Sequence, residues 1–371
     1  METIKANYKI IIYLSIMFII SLITLYNADY INISVSGIIY KQLLWYLIGI
    51  VAIIFIINLK NRIIINYSFY LYIFLNIILL LLLLFGDTIN NARCWFKIPG
   101  IGTIQPSEFM KIILIIFISK YIYKYNKKTK NKSMKNEFIM FIYILLILIP
   151  PCILTFLEPD TGAVFMYLIL TIFILYISGI SKKWIIIFFS ILLFILSFIM
   201  FLYFFNINLF IKILGSSFFL RIERLTNWVN TSGMQLKNGI TAIGTGGIFG
   251  NLFINDLYFP EAHTDFIFAV FASNFGFIGC LFLIMIITLF DLELINISIK
   301  TLNKTNKYII IGFVGILIYQ QIQNIGMTFG LLPITGITLP FISYGGSSLL
   351  SYMIMIGIIM NINLDNYHYH N

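Results

Sequence analysis

The residues best suited to chemistry lie in the segment YFPEAHTDFIFAVFASNFGFIG, from Tyr258 to Gly279. A polar stretch containing Glu261 and His263 ends at Asp265, and an apolar run follows directly. A charged side chain costs roughly 2.5 to 3.5 kcal/mol at the centre of a membrane helix, so an acid at a helix mouth is a functional candidate. Two interpretations stay open here, a functional acid and a solvated carboxylate just outside the bilayer.

Asp265 is the best candidate for a general base. It is flanked by Phe266 and Phe268, and a nearby bilayer would raise the pKa of its carboxyl group toward the useful range. A nucleophilic triad with His263 and Thr264 is not predicted, because no serine stands in a nucleophile-elbow sequence. Zinc and disulfides are not predicted either, because the three histidines and three widely spaced cysteines lack the necessary spacing.

Glu108 and Lys111 form a second polar pair, three residues apart at the start of an apolar run. This spacing places them on one face of a helix that begins near Pro106. One interpretation is a local ion pair that lets both side chains enter the membrane, and the other is a polar functional site at the head of a helix bundle.

Basic residues in two other segments are candidates for binding an anion. Arg221 and Arg224 lie three apart on a predicted amphipathic helix, and Arg93, Lys97 and Lys237 are further basic groups on the same side. Guanidinium groups bind phosphate oxygens bidentately, which suits a diphosphate-bearing lipid. The alternative is an interfacial helix whose arginines contact lipid headgroups.

The glycine-rich segment AIGTGGIFGN, from Ala242 to Asn251, lacks the spacing and the strand-turn-helix context of a dinucleotide-binding fingerprint. It is interpreted as a tight loop that brings backbone amides near a ligand or, alternatively, as a structural turn.

The composition indicates the elements that must position these residues. Of the 371 residues, 60% are hydrophobic and 10% charged, and the mean hydropathy is +0.99, which is typical of an integral membrane protein. The first apolar run lacks a small-residue cleavage site and is interpreted as a retained helix. We predict an all-α, polytopic membrane protein with about ten transmembrane helices, at residues 10–26, 43–58, 68–85, 109–123, 138–157, 162–179, 184–205, 266–290, 308–331 and 341–363.

The distribution of charge predicts the orientation. With a cytoplasmic N-terminus, most of the 24 basic residues fall in inner segments, so the positive-inside rule places both termini in the cytoplasm. The run KYNKKTKNKSMK is an orientation signal near anionic lipid, and no nucleic-acid partner is predicted. A large extracytoplasmic loop, residues 206–265, lies between helices seven and eight, within a single membrane domain spanning 1–371.

Four motifs lie on the predicted outer side: ARCWFKIPGIGTIQPSEFMK, EPDTG, PEAHTDFIFAV and NIGMTFGLLPITGITLPFISYGGSS. In order, spacing and placement they resemble the SEDS family, the shape, elongation, division and sporulation proteins that include RodA and FtsW. The resemblance covers essentially the whole chain. The short N-terminal tail and the length are more similar to the RodA branch.

The resemblance implies a ten-helix fold and a peptidoglycan glycosyltransferase that polymerises lipid II at the outer face of the bacterial cytoplasmic membrane, for elongation and shape or for division. It implies that Asp265 is the catalytic acid. It also implies a class B penicillin-binding protein as partner, beside membrane lipids. The cavity and substrate-binding residues it suggests are Glu108, Lys111, Arg221, Arg224, Arg93, His263, Thr264, Ser343, Gly345 and Gly346.

In that chemistry a sugar 4-hydroxyl attacks an anomeric carbon and expels undecaprenyl diphosphate. Asp265 would deprotonate the hydroxyl or, as an open alternative, help to hold a divalent cation, Mg²⁺ or Mn²⁺, beside the diphosphate. No other metal ligand or cofactor is predicted. Arg221, Arg224 and Lys111 would stabilise the leaving group.

The sequence departs from the family pattern at three positions. Ser273 and Asn274 stand where the family usually has two acids, and Asn251 stands where a lysine often follows the last glycine. Two alternative functions stay open: a lipid II flippase with Glu108 and Lys111 as a gated ion pair, and a non-catalytic scaffold for the transpeptidase. The clustering of unusual residues on the outer side favours the enzyme.

Overall fold

The computed structural model describes residues 2–31, 37–89, 92–98, 102–129, 133–216, 218–219, 222–223, 234–251 and 261–370. Its helices are α1 Glu2–Ile31, α2 Ile38–Asn58, α3 Asn61–Phe85, α4 Pro106–Lys128, α5 Met134–Leu157, α6 Thr161–Ile177, α7 Lys182–Phe205, α8 Ile207–Leu214, α9 Met234–Thr245, α10 Ile267–Lys300, α11 Lys304–Thr328 and α12 Gly346–His370. Its strands are β1 Asp87–Ile89, β2 Ala92–Ile98 and β3 Gly102–Ile104.

The long helices correspond to the predicted spans and confirm an all-α, multi-pass membrane protein. Within the described ranges, eight are long and apolar enough to cross a membrane: α1, α2, α3, α5, α7, α10, α11 and α12. The shorter α6 and the more polar α4 occupy the positions of the other two predicted spans. Both pack inside the bundle, where α4 contacts α3, α6, α11 and α12, so protein rather than lipid covers the polar side chains of α4.

The outer segment between α3 and α4 forms a small antiparallel sheet in the order β1-β2-β3. Asp87 pairs with Trp95, and Lys97 pairs with Thr103. The sequence analysis predicted helices only and no strands here, since glycines and prolines in this segment obscure strands of three to seven residues. The sheet contacts α3, α4 and α12, so it lies over one end of the bundle.

Helix α10 is longer than the predicted span and is broken near its start. Gly276 has φ 62° and ψ −162°, a conformation closed to residues with a Cβ. The glycine-rich turn after α9 fills the break: the Asn251 amide donates to the Ser273 carbonyl at 2.9 Å, and the Phe277 amide donates to the Gly247 carbonyl at 3.0 Å. Of the two interpretations of this glycine-rich segment, a structural turn accounts for these contacts.

Most of the predicted 206–265 loop outside α8 and α9 lies beyond the described residues, and so do Arg221 and Arg224. The described parts include the amphipathic helix α8, which buries Phe210 against α7 in a small apolar cluster of its own with Leu202 and Ile222.

Candidate functional site

Asp265 lies on a tight turn, residues 261–266, immediately before α10. Glu261 has a φ of 56°, and its carbonyl accepts hydrogen bonds from the amides of Thr264 and Phe266, each at 3.2 Å. The buried side chain of Asn324 on α11 donates to the Asp265 carbonyl at 2.9 Å. The half-buried acid is therefore held by its own turn and by a neighbouring helix.

The segment between α11 and α12 packs around this turn. Asn324 also donates to the Ile337 carbonyl at 2.8 Å, so one amide group bridges the two segments. Ser343 Oγ donates to the Thr264 carbonyl at 2.7 Å, and the Tyr344 amide donates to the His263 carbonyl at 2.9 Å. The structure therefore brings the predicted residues His263, Thr264 and Ser343 together with Asp265.

Gly336, on the same segment, has a φ of 72° and approaches the acid closely. A methyl group at this position would lie 3.5 Å from Asp265 Oδ2. The main chain of this segment therefore lies close to the Asp265 carboxylate.

The electrostatic environment of Asp265 suits a base that works near neutral pH. Burial and then the Glu261 carboxylate raise the pKa of Asp265 to about 7. Burial also lowers the pKa of His263, whose Nε2 lies 4.0 Å from Glu261 Oε2. Because Thr264 Oγ1 donates to that same carboxylate at 2.7 Å, the charge of Glu261 is fixed close to the turn.

Glu108 and Lys111 form a buried ion pair in the first turn of α4. Ser351 Oγ on α12 donates to Glu108 Oε2 at 3.0 Å, and Lys111 Nζ lies 4.3 Å from the centre of the Tyr352 ring. Gln320 of α11 donates to Tyr352 Oη at 2.7 Å. The predicted pair is therefore the centre of a polar network that joins three helices inside the bundle.

The EPDTG turn between α5 and α6 contributes two acids to which the sequence assigned no role. Asp160 caps α6 by accepting from the Ala163 amide at 3.0 Å, and it accepts from Gln105 Nε2 at 2.6 Å and Ser107 Oγ at 2.9 Å. These bonds fix the start of α4 next to the ion pair. The signal that could have identified Asp160 is a helix-capping acid directly before an apolar run.

Glu158 is fully buried, and neither carboxylate oxygen has a hydrogen-bond partner among the described residues. Burial and then the nearby Asp160 carboxylate raise the pKa of Glu158 to about 9. Its main-chain carbonyl accepts from Cys94 Sγ at 2.8 Å, which ties β2 to this turn. We therefore expect Glu158 to be protonated at physiological pH.

Close backbone contacts bring the four outer segments together. A methyl group on Gly162 of α6 would lie 3.4 Å from the Ile337 side chain, and one on Gly346 would overlap the Trp45 ring. Ser347 Oγ accepts from the Gln105 amide at 2.9 Å and donates to the Thr103 carbonyl at 3.0 Å. The predicted Gly345 and Gly346 thus lie where α12 begins, packed against the site without contributing side chains.

Arg93 lies apart from these groups. It is exposed on β2 and donates to the Leu83 carbonyl at 3.4 Å. It borders the site without contacting Asp265 or the ion pair in the described structure.

The carboxyl groups do not form a cation site by themselves. Within the part of the chain that the structure describes, no three His, Cys, Asp or Glu side chains group closely enough to hold a metal ion. Asp265 and Glu261 are two carboxylates of one turn, and a Mg²⁺ or Mn²⁺ ion beside a diphosphate needs only one or two carboxylates from the protein, so the divalent-cation alternative stays open.

A bundle of apolar helices with a polar, acid-containing site at one end defines a multi-pass membrane protein whose chemistry lies at a membrane boundary. The chain belongs to the FtsW/RodA/SpoVE family, since the model of that family, described as cell cycle protein, matches residues 2–368.

Curated relatives carry two of these names. Stage V sporulation protein E of Bacillus subtilis (strain 168) is 30% identical over 338 residues, covering 87% of this chain and 86% of the relative. Probable peptidoglycan glycosyltransferase FtsW of the same organism is 35% identical over 304 residues, covering 77% and 70%.

Solved structures share the fold. A chain of a peptidoglycan synthase complex described as coordinating polymerization and crosslinking superposes with a TM-score of 0.77 at 22% identity, covering 97% of this chain and 98% of that one. The rod shape determining protein RodA of Thermus thermophilus superposes with a TM-score of 0.70 at 22% identity, covering 96% of each chain. The family is therefore confirmed, and the RodA branch stays a prediction.

Proposed function

We propose that this protein is a peptidoglycan glycosyltransferase that polymerises lipid II at the outer face of the cytoplasmic membrane, in elongation and shape or in division. The observation that carries the proposal is Asp265, a half-buried acid whose pKa of about 7 suits a general base. The names of the curated FtsW relatives support the same activity.

In the proposed reaction, Asp265 accepts the proton of the sugar 4-hydroxyl as that oxygen attacks the anomeric carbon of the other glycan. The new glycosidic bond forms while the bond from the anomeric carbon to undecaprenyl diphosphate breaks, and the diphosphate departs with the bonding electrons. The turn at residues 261–266 and the Asn324 bridge keep the base in place, which saves reorganisation during the reaction.

The leaving diphosphate requires positive charge. Lys111 is fully buried against Glu108 and Tyr352, so it can reach a diphosphate only if the ion pair opens. We assign Glu108 and Lys111 a positioning role in the closed state. Arg93, at the rim, and Arg221 and Arg224, outside the described residues, are the proposed diphosphate ligands.

The same proposal includes a membrane orientation and a partner. Ten spans with both termini in the cytoplasm place the site outside and the lysine-rich α4–α5 connection inside. A fluorescent protein fused to the C-terminus should therefore fluoresce, because such a fusion fluoresces only when it lies on the cytoplasmic side. The synthase complex whose chain shares this fold supports a class B penicillin-binding protein as partner.

One experiment separates this proposal from a flippase and from a scaffold. The purified protein is reconstituted in vesicles with its penicillin-binding protein, whose transpeptidase site is blocked, and labelled lipid II is added. Glycan chains resolved on a gel are the expected result. Translocation of lipid II without polymer would favour the flippase, and neither activity, under conditions where a related enzyme works, would favour the scaffold.

A further inference from the structure

A polar cavity lies at the opposite end of the bundle from Asp265. Its volume is about 380 Å³, which is within the range of roughly 300 to 1,000 Å³ seen for small-molecule sites. The start of α1, the end of α10 and the end of α12 form its walls. Its polar lining includes Tyr8, Lys9, Glu293, Asn296, Lys300, Asn363 and Asn366.

The cavity presents both positive charge and hydrogen-bond acceptors. Lys9 Nζ pairs with Glu293 Oε2 at 3.4 Å on one wall, and no acid among the described residues pairs with Lys300, so its charge is unbalanced. Asn363 and Asn366 use their amide nitrogens on Ala6 and Thr301, at 2.7 and 2.9 Å. Their amide oxygens are left as acceptors for a ligand.

Two apolar stripes begin at this cavity and run along the membrane-facing surface. On α1 the exposed residues Tyr8, Ile12 and Ile19 follow one helical face. On α10 the second stripe begins at the cavity residue Asn296. It continues along one helical face through the exposed residues Leu292, Leu289 and Met285. Each stripe is long enough for part of an acyl chain, at 1.5 Å per residue.

The two stripes lie on the same side of the helix pair. Helices α1 and α10 are antiparallel neighbours in register, as the Lys9–Glu293 ion pair and the contact of the Tyr13 and Phe290 rings, 6.5 Å apart, both indicate. In an antiparallel pair of right-handed helices, the residues one position before the contacting residues point to the same side of the pair. These residues are Tyr8 and Ile12 on α1, and Leu292 and Leu289 on α10. Together the stripes form a shallow apolar groove that ends in the polar cavity.

We propose that this cavity and groove bind one phosphatidylglycerol molecule of the inner leaflet. The Lys300 ammonium binds the phosphate, the amide oxygens of Asn363 and Asn366 accept hydrogen bonds from the glycerol hydroxyls, and the acyl chains lie along α1 and α10. The proposal uses the membrane orientation given above and is otherwise independent of the glycosyltransferase activity.

The mixture of groups favours this lipid over other occupants. A phosphatidylcholine headgroup has no hydroxyl to donate and carries a bulky cation next to Lys300. A transmembrane helix of a partner would cover the groove, but it would leave the polar cavity with its lysine and amide oxygens unfilled. The joint presence of both features points to a single amphiphile.

The test uses the full-length protein in detergent and native mass spectrometry to measure binding of phosphatidylglycerol, phosphatidylcholine and free glycerol phosphate. Lys300→Gln removes the phosphate contact from an exposed side chain and should leave the fold intact. Lys183→Gln, at an exposed lysine of α7 on the same membrane side, is the matched control. We expect Lys300→Gln to weaken phosphatidylglycerol binding about tenfold, as expected for one charge-assisted contact, and Lys183→Gln to leave it unchanged.

Several results would overturn the proposal: equal binding of phosphatidylcholine, the same loss in Lys183→Gln, or no loss in Lys300→Gln. Glycerol phosphate bound as tightly as the lipid would indicate a soluble ligand instead. A phosphatidylglycerol with a photoreactive acyl chain should label the α10 stripe near Leu292. Crosslinking of Leu292→Cys to a second protein would identify a helix as the occupant.

Discussion

The proposed role of Asp265 as a base depends on residues of three elements. Its turn provides Glu261, α11 provides Asn324, and the following segment provides Gly336. The sequence predicted Asp265 because an acid next to an apolar run is conspicuous. It did not single out Glu261 or Asn324 as supporting residues, because their roles depend on contacts made only in the folded protein.

Replacing Glu261 by Gln should move the pH dependence of polymerisation to lower pH. Glu261 raises the pKa of Asp265, so removing its charge lowers that pKa and leaves the base ionised in more acidic solution. The amide retains an acceptor for Thr264. Wild-type activity should rise as the pH increases through about 7, and the measurement is the rate of glycan synthesis from pH 5 to 9.

Glu293→Gln changes an acid at the other end of the bundle and should leave the pH profile where it is. If the rate of glycan synthesis by Glu261→Gln falls at the same acidic pH as that of the wild type, Glu261 does not raise the pKa of Asp265.

Glu158→Gln should change the pH dependence of stability. Glu158 has a pKa raised to about 9 in the folded protein, so the folded state holds one more proton than the unfolded state between about pH 4.5 and 9. Its contribution to stability is complete at low pH and falls by up to about 1.4 kcal/mol per pH unit across that window. Melting temperatures of both proteins over this range measure the difference.

The wild type should lose stability relative to Glu158→Gln as the pH rises from 5 to 9. Parallel curves would mean that Glu158 is ionised in the folded protein and has a partner that the structure does not account for.

At the scale of elements, periodicity and hydropathy predicted the helices well but not what interrupts them. The α10 break at Gly276 follows Ser273 and Asn274 inside the predicted span 266–290, and a single glycine in a helical run does not by itself predict a break. It depends on amides and carbonyls of the turn after α9, more than 20 residues earlier. The β1-β2-β3 sheet was missed for a similar reason, because short strands are stabilised by partners rather than by propensity.

Gly276→Ala should destabilise the protein, whereas Gly244→Ala should not. An alanine at position 276 would have to adopt the strained φ of 62°. Its Cβ would also lie only 2.4 Å from the Gly250 amide nitrogen. We expect a loss of about 1–3 kcal/mol, from strain and overpacking. Gly244 lies in α9 with open space around it, so alanine there should be neutral or slightly stabilising.

Thermal unfolding in detergent compares the two glycine variants directly. Equal melting temperatures for Gly276→Ala and Gly244→Ala would show that the break in α10 is not required for the fold.

At the scale of the whole molecule, the fold collects four segments that are distant in the sequence at one end of the bundle. Gln105 and Ser347 are 242 residues apart and are hydrogen-bonded, and Cys94 donates to the carbonyl of Glu158. Charge patterning predicted that these segments share one side of the membrane. Their packing could not be predicted, because it depends on backbone approaches such as that of Gly346 to Trp45.

The opposite end of the bundle carries different chemistry, with Lys9, Lys300 and several asparagine amides around one acid, Glu293. This separation of acidic and basic ends is consistent with the positive-inside rule. Helix α10 is preceded by Asp265 and carries two further acids, Asp291 and Glu293, in its second half, and of the three only Asp265 faces the converging segments.

The most direct test of the central claim compares lipid II polymerisation by the wild type, Asp265→Asn and Asp291→Asn, each with its penicillin-binding protein and with the transpeptidase site blocked. Asp265→Asn keeps the shape of the side chain but removes the base, so glycan synthesis should fall by about 10²-fold or more. Asp291→Asn keeps its acceptor for Gln321 and should retain activity. Full activity in Asp265→Asn would contradict the account.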